Sequence, residues 1–405
     1  MWLFRFAWKN MWRNRQRTAI TMAAIFFAVI LSVAASSLKE GIFDNLVKNV
    51  VSFYTGYIQI HKKGYWDEQV LDNSFSPDKE LEQKILQQKN IVSLAPRLES
   101  FALVSSGNIT KGSMVVGIDP KGEDRITSLR SKLISGNYIE NNDHAVLLSQ
   151  GLAERLKLKA RDTIILIGQG YHGTTAAGKY SIKGIVKFGS PELNDRSLFM
   201  PLPLAQDMYG AGDNITSFVL SLHHPSELEA TSSLIRSAIG NEYEVMTWGE
   251  ISPDIKQHIE TDSKNMRVVH WILYLLISFG ILGTLLMMMV ERKFEMGMLV
   301  AVGMKKIKLA ALLTIESIFT VLCGCILGII LSIPLVFYLN VHPLRIGGET
   351  AKAYERFGFE AVFPASTAAF NFIYQGIIVL IIGLVLSLYP MYKAFRLNPV
   401  KAMKK

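Results

Sequence analysis

Four long stretches of this 405-residue chain contain almost no charge, and their spacing is uneven. One lies near the N-terminus, a long polar segment follows, and the other three lie close together toward the C-terminus. Each is long enough to cross a hydrocarbon core of about 30 Å, which takes roughly 20 helical residues. We therefore predict an α-helical membrane protein whose four transmembrane helices are residues 18–38, 268–290, 309–340 and 370–392.

Composition agrees with a membrane protein, because 50% of the residues are hydrophobic and only 19% are charged. The formal net charge of +9 does not indicate a nucleic-acid partner, since the basic residues collect beside the apolar stretches. They lie in the N-terminal segment 1–17, in the loop 291–308 and in the tail 393–405. The positive-inside rule places all three segments in the cytoplasm.

This charge pattern sets the predicted topology. With four transmembrane helices, both termini are cytoplasmic, and segments 39–267 and 341–369 lie outside the cytoplasm. The expected location is the cell inner (plasma) membrane, with a large periplasmic or extracellular domain. A cleaved signal peptide is the alternative for the first stretch, but its apolar run exceeds the roughly 7 to 15 residues of a signal peptide.

The N-terminal segment has the pattern of an amphipathic helix. Phe4, Trp8 and Trp12 recur every four residues, beside a second row that contains Arg5 and Lys9. Aromatic and basic side chains in this arrangement lie at the membrane–water interface. We therefore predict that Trp8 and Trp12 are interfacial, on the cytoplasmic side.

The polar segment 39–267 alternates short strand signals with helix signals, which is typical of an α+β domain. No helix breaker follows Pro253 before Val290, so a helical stalk is expected to run into the second transmembrane helix. The Gly-rich stretch Gly173–Tyr180 resembles a phosphate-binding loop, but that motif requires Ser or Thr where Tyr180 stands. We predict a mobile loop there, followed by a strand that begins at Tyr180. No catalytic or metal-binding motif occurs in the sequence, so neither kind of site is predicted.

Glu316 is the one acidic residue inside the four apolar stretches. A carboxylate in a membrane span is costly and usually faces a bundle interior or a polar partner. A functional role and a structural hydrogen bond to a neighbouring helix both stay open. Further along the same stretch, Gly324 and Gly328 form a pair that lets two helices approach closely. This pair predicts helix packing, including packing across a dimer.

The loop after the second apolar stretch reads ERKFEMGMLVAVGM over residues 291–304. It resembles the signature of ABC permeases of the FtsX/MacB type, and the lipoprotein-releasing permeases LolC and LolE are expected to be the closest of these. Further matches lie in residues 8–17, 56–60 and 389–402. The resemblance implies that segment 39–267 contains a MacB-like periplasmic core domain.

A permease of this type is implied to be a subunit that is not itself an enzyme and binds no cofactor directly. ATP and Mg²⁺ would be bound by a separate cytoplasmic ABC ATPase, docked on a helical stripe of Phe294, Met298 and Val302. The alternative is a segment that only rests on the bilayer. The residues predicted to form the docking site are Glu291, Arg292, Phe294, Glu295, Gly297, Met298, Ala301, Val302, Gly303 and Met304.

The same resemblance implies the remaining partners and the function. The expected partners are a second permease copy or a paralogue, membrane lipid, lipoproteins and a periplasmic carrier, with no nucleic acid. The expected function is lipoprotein release from the inner membrane, and peptide or antibiotic efflux of the MacB type is the alternative. A membrane-anchored sensor or a regulator of cell-wall hydrolases is an alternative of a different class.

Overall fold

A computed structural model describes residues 2–13, 15–345, 347–349, 362–399 and 402. Parts of the predicted loop 341–369 and tail 393–405 therefore lie outside the described residues. The chain forms two compact units. The first, called here the helical unit, comprises Met1–Asn45, Ile259–Arg345 and Val362–Lys405. The second, called the sheet unit, contains Leu46–His258.

Helices and strands both take their bounds from the hydrogen-bonded backbone. The helices are α1 (Trp2–Arg13), α2 (Arg15–Val50), α3 (Tyr65–Glu68), α4 (Lys79–Leu86), α5 (Pro120–Thr127), α6 (Gln150–Leu156), α7 (Pro191–Arg196), α8 (Leu202–Tyr209), α9 (Leu228–Ile239), α10 (Trp248–Ile251), α11 (Pro253–Glu291), α12 (Lys293–Ala301), α13 (Lys306–Val341), α14 (Ala369–Leu386) and α15 (Leu388–Phe395). The strands are β1 (Ile58–Lys62), β2 (Ile91–Ser106), β3 (Ile109–Ile118), β4 (Leu133–Gly136), β5 (Ala145–Ser149), β6 (Thr163–Gln169), β7 (Thr175–Val186), β8 (Ser197–Pro201), β9 (Ser217–Leu222), β10 (Tyr243–Thr247), β11 (Leu344–Arg345) and β12 (Val362–Phe363).

Within the described residues, four helical segments are long and apolar enough to cross a membrane. They are Thr18–Thr55, Pro253–Glu291, Lys306–Val341 and Ala369–Phe395, and each contains one predicted stretch. The α+β sheet unit lies in the sequence between the first and the second of them. The predicted fold class is therefore confirmed. The prediction of one unbroken helix after Pro253 is confirmed as well, since α11 runs without interruption to Glu291.

Small residues on α13 allow close packing inside the helical unit. A Cβ atom added at Gly328 would lie 2.6 Å from the Val29 Cβ atom of α2, and one at Gly324 would lie 2.9 Å from Ile25 Cβ. Both distances are too short for any side chain larger than hydrogen. The two glycines therefore pack α13 against α2 of the same chain.

The sheet unit is built on a ten-stranded mixed sheet. Its order is β10-β1-β9-β2-β3-β8-β5-β7-β4, and β6 pairs with both β2 and β7. The pairs β3–β8 and β5–β7 are parallel, and the others are antiparallel. The long strand β2 pairs with β9 through its first half and with β6 near its end, so it connects the two halves of the sheet.

The prediction of a mobile loop before a strand at Tyr180 is wrong for residues 175–179, which already belong to that strand. Strand β7 begins at Thr175, and its residues pair one by one with β6, with Gly178 opposite Leu166. Alternate side chains of this stretch, Ala176 and Tyr180, are buried in the core of the sheet unit. The physical reason is that cross-strand pairing and period-two burial outweigh the high glycine content, which on its own favours a loop.

Candidate functional site

The short helix α12 lies between the long helices α11 and α13, and the helical backbone conformation is interrupted at each of its ends. At its start, Arg292 has φ −96° and ψ 6°, outside the helical region. At its end, Gly303 has φ +106°, a conformation that a residue with a side chain rarely adopts. The nine-residue helix is therefore a separate element between α11 and α13.

The two faces of α12 differ in burial. Its inner face packs Met296 against Met289 and Leu309, with Gly297 also buried. Its outer face carries Phe294, Met298 and Val302, which are 55%, 46% and 84% exposed. The predicted stripe is therefore an exposed apolar surface, called here the α12 face. Ala301 and Gly303 are exposed beside it.

A buried ion pair lies directly behind α12. Arg292 Nη1 donates a hydrogen bond to Glu316 Oε1, and the two residues are 3% and 1% exposed. The other carboxylate oxygen of Glu316 accepts a hydrogen bond of 3.2 Å from Asn10 Nδ2. Glu316 thereby joins α1 and α13 to the junction between α11 and α12. Arg292 Nε is buried with no acceptor among the residues that the structure describes.

Helix α1 packs on the same group of helices. Ala7 and Met11 are buried, while Trp8 and Trp12 are 45% and 51% exposed. The Trp8 ring meets Phe319 of α13 edge-on, with ring centroids 5.8 Å apart. At the surface, Arg13 Nη2 pairs with Glu295 Oε2 of α12 at 3.0 Å. One end of the helical unit therefore consists of α1, α12 and the start of α13, held by one buried and one exposed ion pair.

The structure divides the predicted docking residues into two groups. Phe294, Met298 and Val302 share the exposed face, whereas Met304 is partly buried and packs against the cluster that contains Met296 and Leu309. Arg292 and Gly297 are buried instead. The sequence marked Glu316 as unusual but did not identify Arg292 or Asn10 as its partners, because no periodicity links residues on three different helices. Only the rarity of an acid in an apolar stretch suggested that such partners exist.

A second buried cluster lies in the sheet unit, around Arg97 of β2. Its Nε and Nη2 atoms donate to both carboxylate oxygens of Glu123, at 2.8 and 2.7 Å. The guanidinium carbon lies 4.4 Å from the centre of the Tyr54 ring, in the π-helical turn Val51–Thr55 that follows α2. Burial opposes the charge of Arg97, but the Glu123 carboxylate and Tyr54 outweigh it and raise the Arg97 pKa.

Lys132 connects the same region to the end of α2. Its Nζ donates to the Ser52 carbonyl oxygen at 2.9 Å and also to the Thr127 carbonyl oxygen. Burial lowers the pKa of Lys132 to about 8, although Glu123 and Asp124 act in the opposite direction. The carbonyl groups at the end of a helix lack intrahelical partners, and Lys132 supplies one of them with a donor. The turn after α2 is therefore anchored to α5 and β2.

Two family models match the chain. The FtsX-like permease C-terminal model matches residues 267–399, and the MacB-like periplasmic core domain model matches residues 18–238. The chain therefore belongs to the FtsX/MacB type of ABC transporter permeases, a family of non-catalytic, multi-pass membrane subunits with an extracytoplasmic domain. The sheet unit is that extracytoplasmic domain.

Curated relatives include both MacB proteins and lipoprotein-releasing permeases. The macrolide export ATP-binding/permease protein MacB of Psychrobacter arcticus is 23% identical, over 99% of this chain and 59% of its own length. The lipoprotein-releasing system transmembrane protein LolC of Neisseria meningitidis serogroup B is 20% identical, over 97% of this chain and 95% of its own length. LolE of Haemophilus influenzae is 22% identical, over 80% of each chain. The chain thus spans 59% of the MacB relative, and the identities show no clear preference between MacB and LolC or LolE.

Among solved structures, the periplasmic region of MacB from Actinobacillus actinomycetemcomitans is similar to part of this chain. The likeness covers 52% of the chain and 97% of that structure, at 15% identity and a TM-score of 0.36.

Proposed function

We propose that this chain is a permease subunit that couples ATP hydrolysis by a separate cytoplasmic ABC ATPase to work done by the sheet unit outside the cytoplasm. The observation that carries the proposal is the exposed α12 face, with a buried ion pair directly behind it. ATP and Mg²⁺ are then bound by the partner. The clusters of basic residues in 1–17 and 291–308 support a cytoplasmic position for this end of the helical unit.

The α12 face has the character of a protein-binding surface. Phe294, Met298 and Val302 lie side by side on one face of the helix, and Lys293 and Lys305 are exposed nearby. Large exposed apolar side chains with a charged rim are typical of the centre of an interface. The revised docking site contains the three apolar side chains with Ala301 and Gly303. Arg292 and Gly297 support it from inside.

Motion of a docked ATPase is transmitted to the long helices through the buried ion pair between Arg292 and Glu316. Arg292 lies at the start of α12, and its only hydrogen-bonded carboxylate in the described chain belongs to Glu316 of α13. A shift of α12 therefore moves a charge that has no aqueous partner, and α13 must follow or lose the ion pair. Asn10 extends the same connection to α1.

For the cargo, we propose lipoprotein release from the inner membrane, with a second permease copy or paralogue, membrane lipid and a periplasmic carrier as further partners. The likeness to LolC over 95% of that protein supports this choice. Macrolide or peptide efflux is the second candidate, and the 23% identity to MacB supports it. Depletion of the chain separates the two: retained lipoprotein in the inner membrane supports release, and increased macrolide sensitivity without retention supports efflux.

Co-purification with the ATPase tests the docking proposal. The test variant changes Phe294, Met298 and Val302 to Ser, and the matched control changes Val92 and Leu234, exposed apolar residues of the sheet unit, to Ser. We expect the test variant to lose association by at least about tenfold, since central apolar side chains carry most of an interface's energy. Unchanged association would instead support a helix that only rests on the bilayer.

A further inference from the structure

A cavity of about 770 Å³ opens in the sheet unit. This volume lies within the roughly 300 to 1,000 Å³ that small-molecule sites occupy. Six parts of the unit line it: strands β2 and β3, helix α7 with its neighbours, the turn after α2, helix α3, helix α6, and the segment from α10 to the start of α11. The family assignment and the α12 face do not account for this cavity.

Most of the lining is apolar. Its large side chains are Phe53, Trp66, Phe101, Met114, Leu193 and Ile251. Phe101 is 61% exposed, although it is a large aromatic residue in the middle of a strand. The turn that carries Phe53 and Tyr54 is π-helical, a rare conformation that often occurs at functional sites. An apolar cavity with aromatic walls favours an aliphatic or aromatic ligand.

The positive side chains in the lining of the cavity outnumber the negative ones by one. Arg155 pairs with Asp195, and Arg196 lies 3.9 Å from Glu192, so these four charges balance. Lys111 is exposed at the lining and forms no ion pair with any residue of the described ranges. The cavity therefore has one uncompensated positive charge beside its apolar walls. A ligand that matches both features has an apolar body and an anionic end.

We propose that this cavity binds an amphipathic molecule with an aliphatic chain and an anionic end group, the chain among Phe53, Phe101 and Met114 and the anion at Lys111. The inference deepens the proposed function by naming a ligand class, and it rests on that function only for the link to transport. The link is structural: the lining includes Val50 at the end of α2 and Ile255 near the start of α11. Ligand binding therefore acts on the ends of the helices that contain the first two spans.

Photo-crosslinking of the full-length chain in phosphatidylcholine nanodiscs tests the proposal. The probe is palmitic acid with a diazirine in its chain, and hexadecylamine with the same diazirine is the cationic counterpart. We expect the acid to label peptides from 101–114, 192–197 and 251–255, and unlabelled palmitate or lysophosphatidylglycerol to compete. Competition by either anion supports a site for an anionic amphipathic molecule. The anion that competes shows whether the site accepts a free fatty acid or a lysophospholipid. Labelling confined to the membrane-spanning helices, or equal labelling by the amine, would overturn the proposal.

Two paired variants sharpen the result. Phe101→Ser should reduce labelling about tenfold, whereas Leu103→Ser should leave it unchanged. Leu103 is 53% exposed on the same strand and the same face as Phe101 but does not line the cavity. Lys111→Glu should reduce labelling by the acid about fivefold and raise labelling by the amine. Equal effects of Phe101→Ser and Leu103→Ser would contradict a site in the cavity.

The same preparations separate this inference from the proposed function. If cavity labelling fails while the ATPase still co-purifies, the ligand site is rejected and the permease function stands. If co-purification does not depend on the α12 face while labelling occurs as expected, docking at α12 is rejected and the ligand site stands.

Discussion

Each of the two units contains a buried pair of arginine and glutamate, and the two pairs are built differently. In the sheet unit, Arg97 makes two hydrogen bonds to Glu123, and it also contacts Glu99 at 3.6 Å and the Tyr54 ring. In the helical unit, Arg292 contacts Glu316 through one nitrogen, while its Nε atom is buried without an acceptor in the described chain. Arg97 Nη1 is likewise buried without a hydrogen-bond acceptor in the described chain, so the two pairs differ in having two hydrogen bonds between arginine and glutamate against one.

This difference indicates different tasks. A bidentate pair with additional neighbours has one favourable geometry, so the Arg97 cluster holds the turn after α2 in a fixed position. A pair held by a single hydrogen bond can exchange partners at lower cost, so the Arg292 cluster suits a junction that moves. We therefore expect the Arg97 cluster to hold its part of the sheet unit fixed, and we expect the change of conformation at the α11–α12 junction.

The largest expected effect comes from breaking the pair in the sheet unit. Arg97→Met leaves the Glu123 carboxylate buried without the cation that donates two hydrogen bonds to it, and removing one partner of such a pair costs about 3 to 5 kcal/mol of stability. Protease resistance of the sheet unit in the full-length protein measures the loss. The double change Arg97→Met with Glu123→Met should recover most of it. Wild-type resistance in Arg97→Met would show that the cluster does not hold the unit.

In the helical unit, Glu316→Gln should affect function more than folding. The amide keeps the size of the side chain and one acceptor, so the ATPase should still associate. Arg292 loses its counterion, however, and we expect the ATP hydrolysis rate of the complex to fall about tenfold, which corresponds to about 1.4 kcal/mol.

Glu80→Gln is the matched control, because Glu80 of α4 forms an exposed pair with Lys84 and is not among the predicted docking residues. Exposed pairs contribute about 0 to 1 kcal/mol, so the control should keep its rate. A wild-type rate in Glu316→Gln would leave only a structural hydrogen bond at this position.

A smaller effect tests the packing of the helical unit. Gly328→Val places atoms where Val29 already stands, and overpacking of this kind costs about 1 to 3 kcal/mol. Gly283→Val has the same helix propensity, but no described atom outside its own helix and chain neighbours lies within 4 Å of the new Cβ. Thermal stability of the purified protein should fall for the first variant only. A loss of thermal stability in Gly283→Val alone would indicate that the close helix packing lies at α11 and not between α2 and α13.

The smallest expected effect is a pH dependence in the sheet unit. Because burial lowers the pKa of Lys132 from 10.5 to about 8, the unfolded chain binds more protons than the folded one between these values. Lys132 should therefore make the free energy of unfolding rise with pH above about 8, by about 1 kcal/mol after solvent screening is allowed for, before the buried tyrosines with raised pKa values reverse the slope near pH 10. Lys132→Met should remove this rise, and Lys121→Met, at an exposed position, should keep it. An unchanged rise in Lys132→Met would assign the effect to another group.

Much of the architecture was predictable because its signals are local. The apolar stretches, the stripe Phe294, Met298 and Val302, and the unbroken helix after Pro253 each follow from composition or periodicity within one segment. The loop predicted at Gly173–Tyr180 failed for the opposite reason. Its conformation depends on strand β6, whose pairing with β7 no local pattern shows.

The two buried pairs could not be predicted for the same reason. Arg97 and Glu123 are 26 positions apart, on a strand and a helix, and Arg292 and Glu316 are 24 apart, at the α11–α12 junction and on α13. A charged residue in an apolar stretch signals that a partner exists, but only the folded packing identifies it. The glycine pair is similar: sequence predicted close packing at Gly324 and Gly328, and the structure identified α2 of the same chain as the neighbour.

The central claim is that the α12 face binds the ATPase, and site-specific crosslinking tests it most directly. A photoreactive phenylalanine placed at Val302 or Phe294, in cells that contain the ATPase, should form a covalent product of the two chains. The same residue at Leu234, exposed in the sheet unit, should form none. Products with lipid alone from Val302 and Phe294, or equal ATPase products from Leu234, would contradict the account.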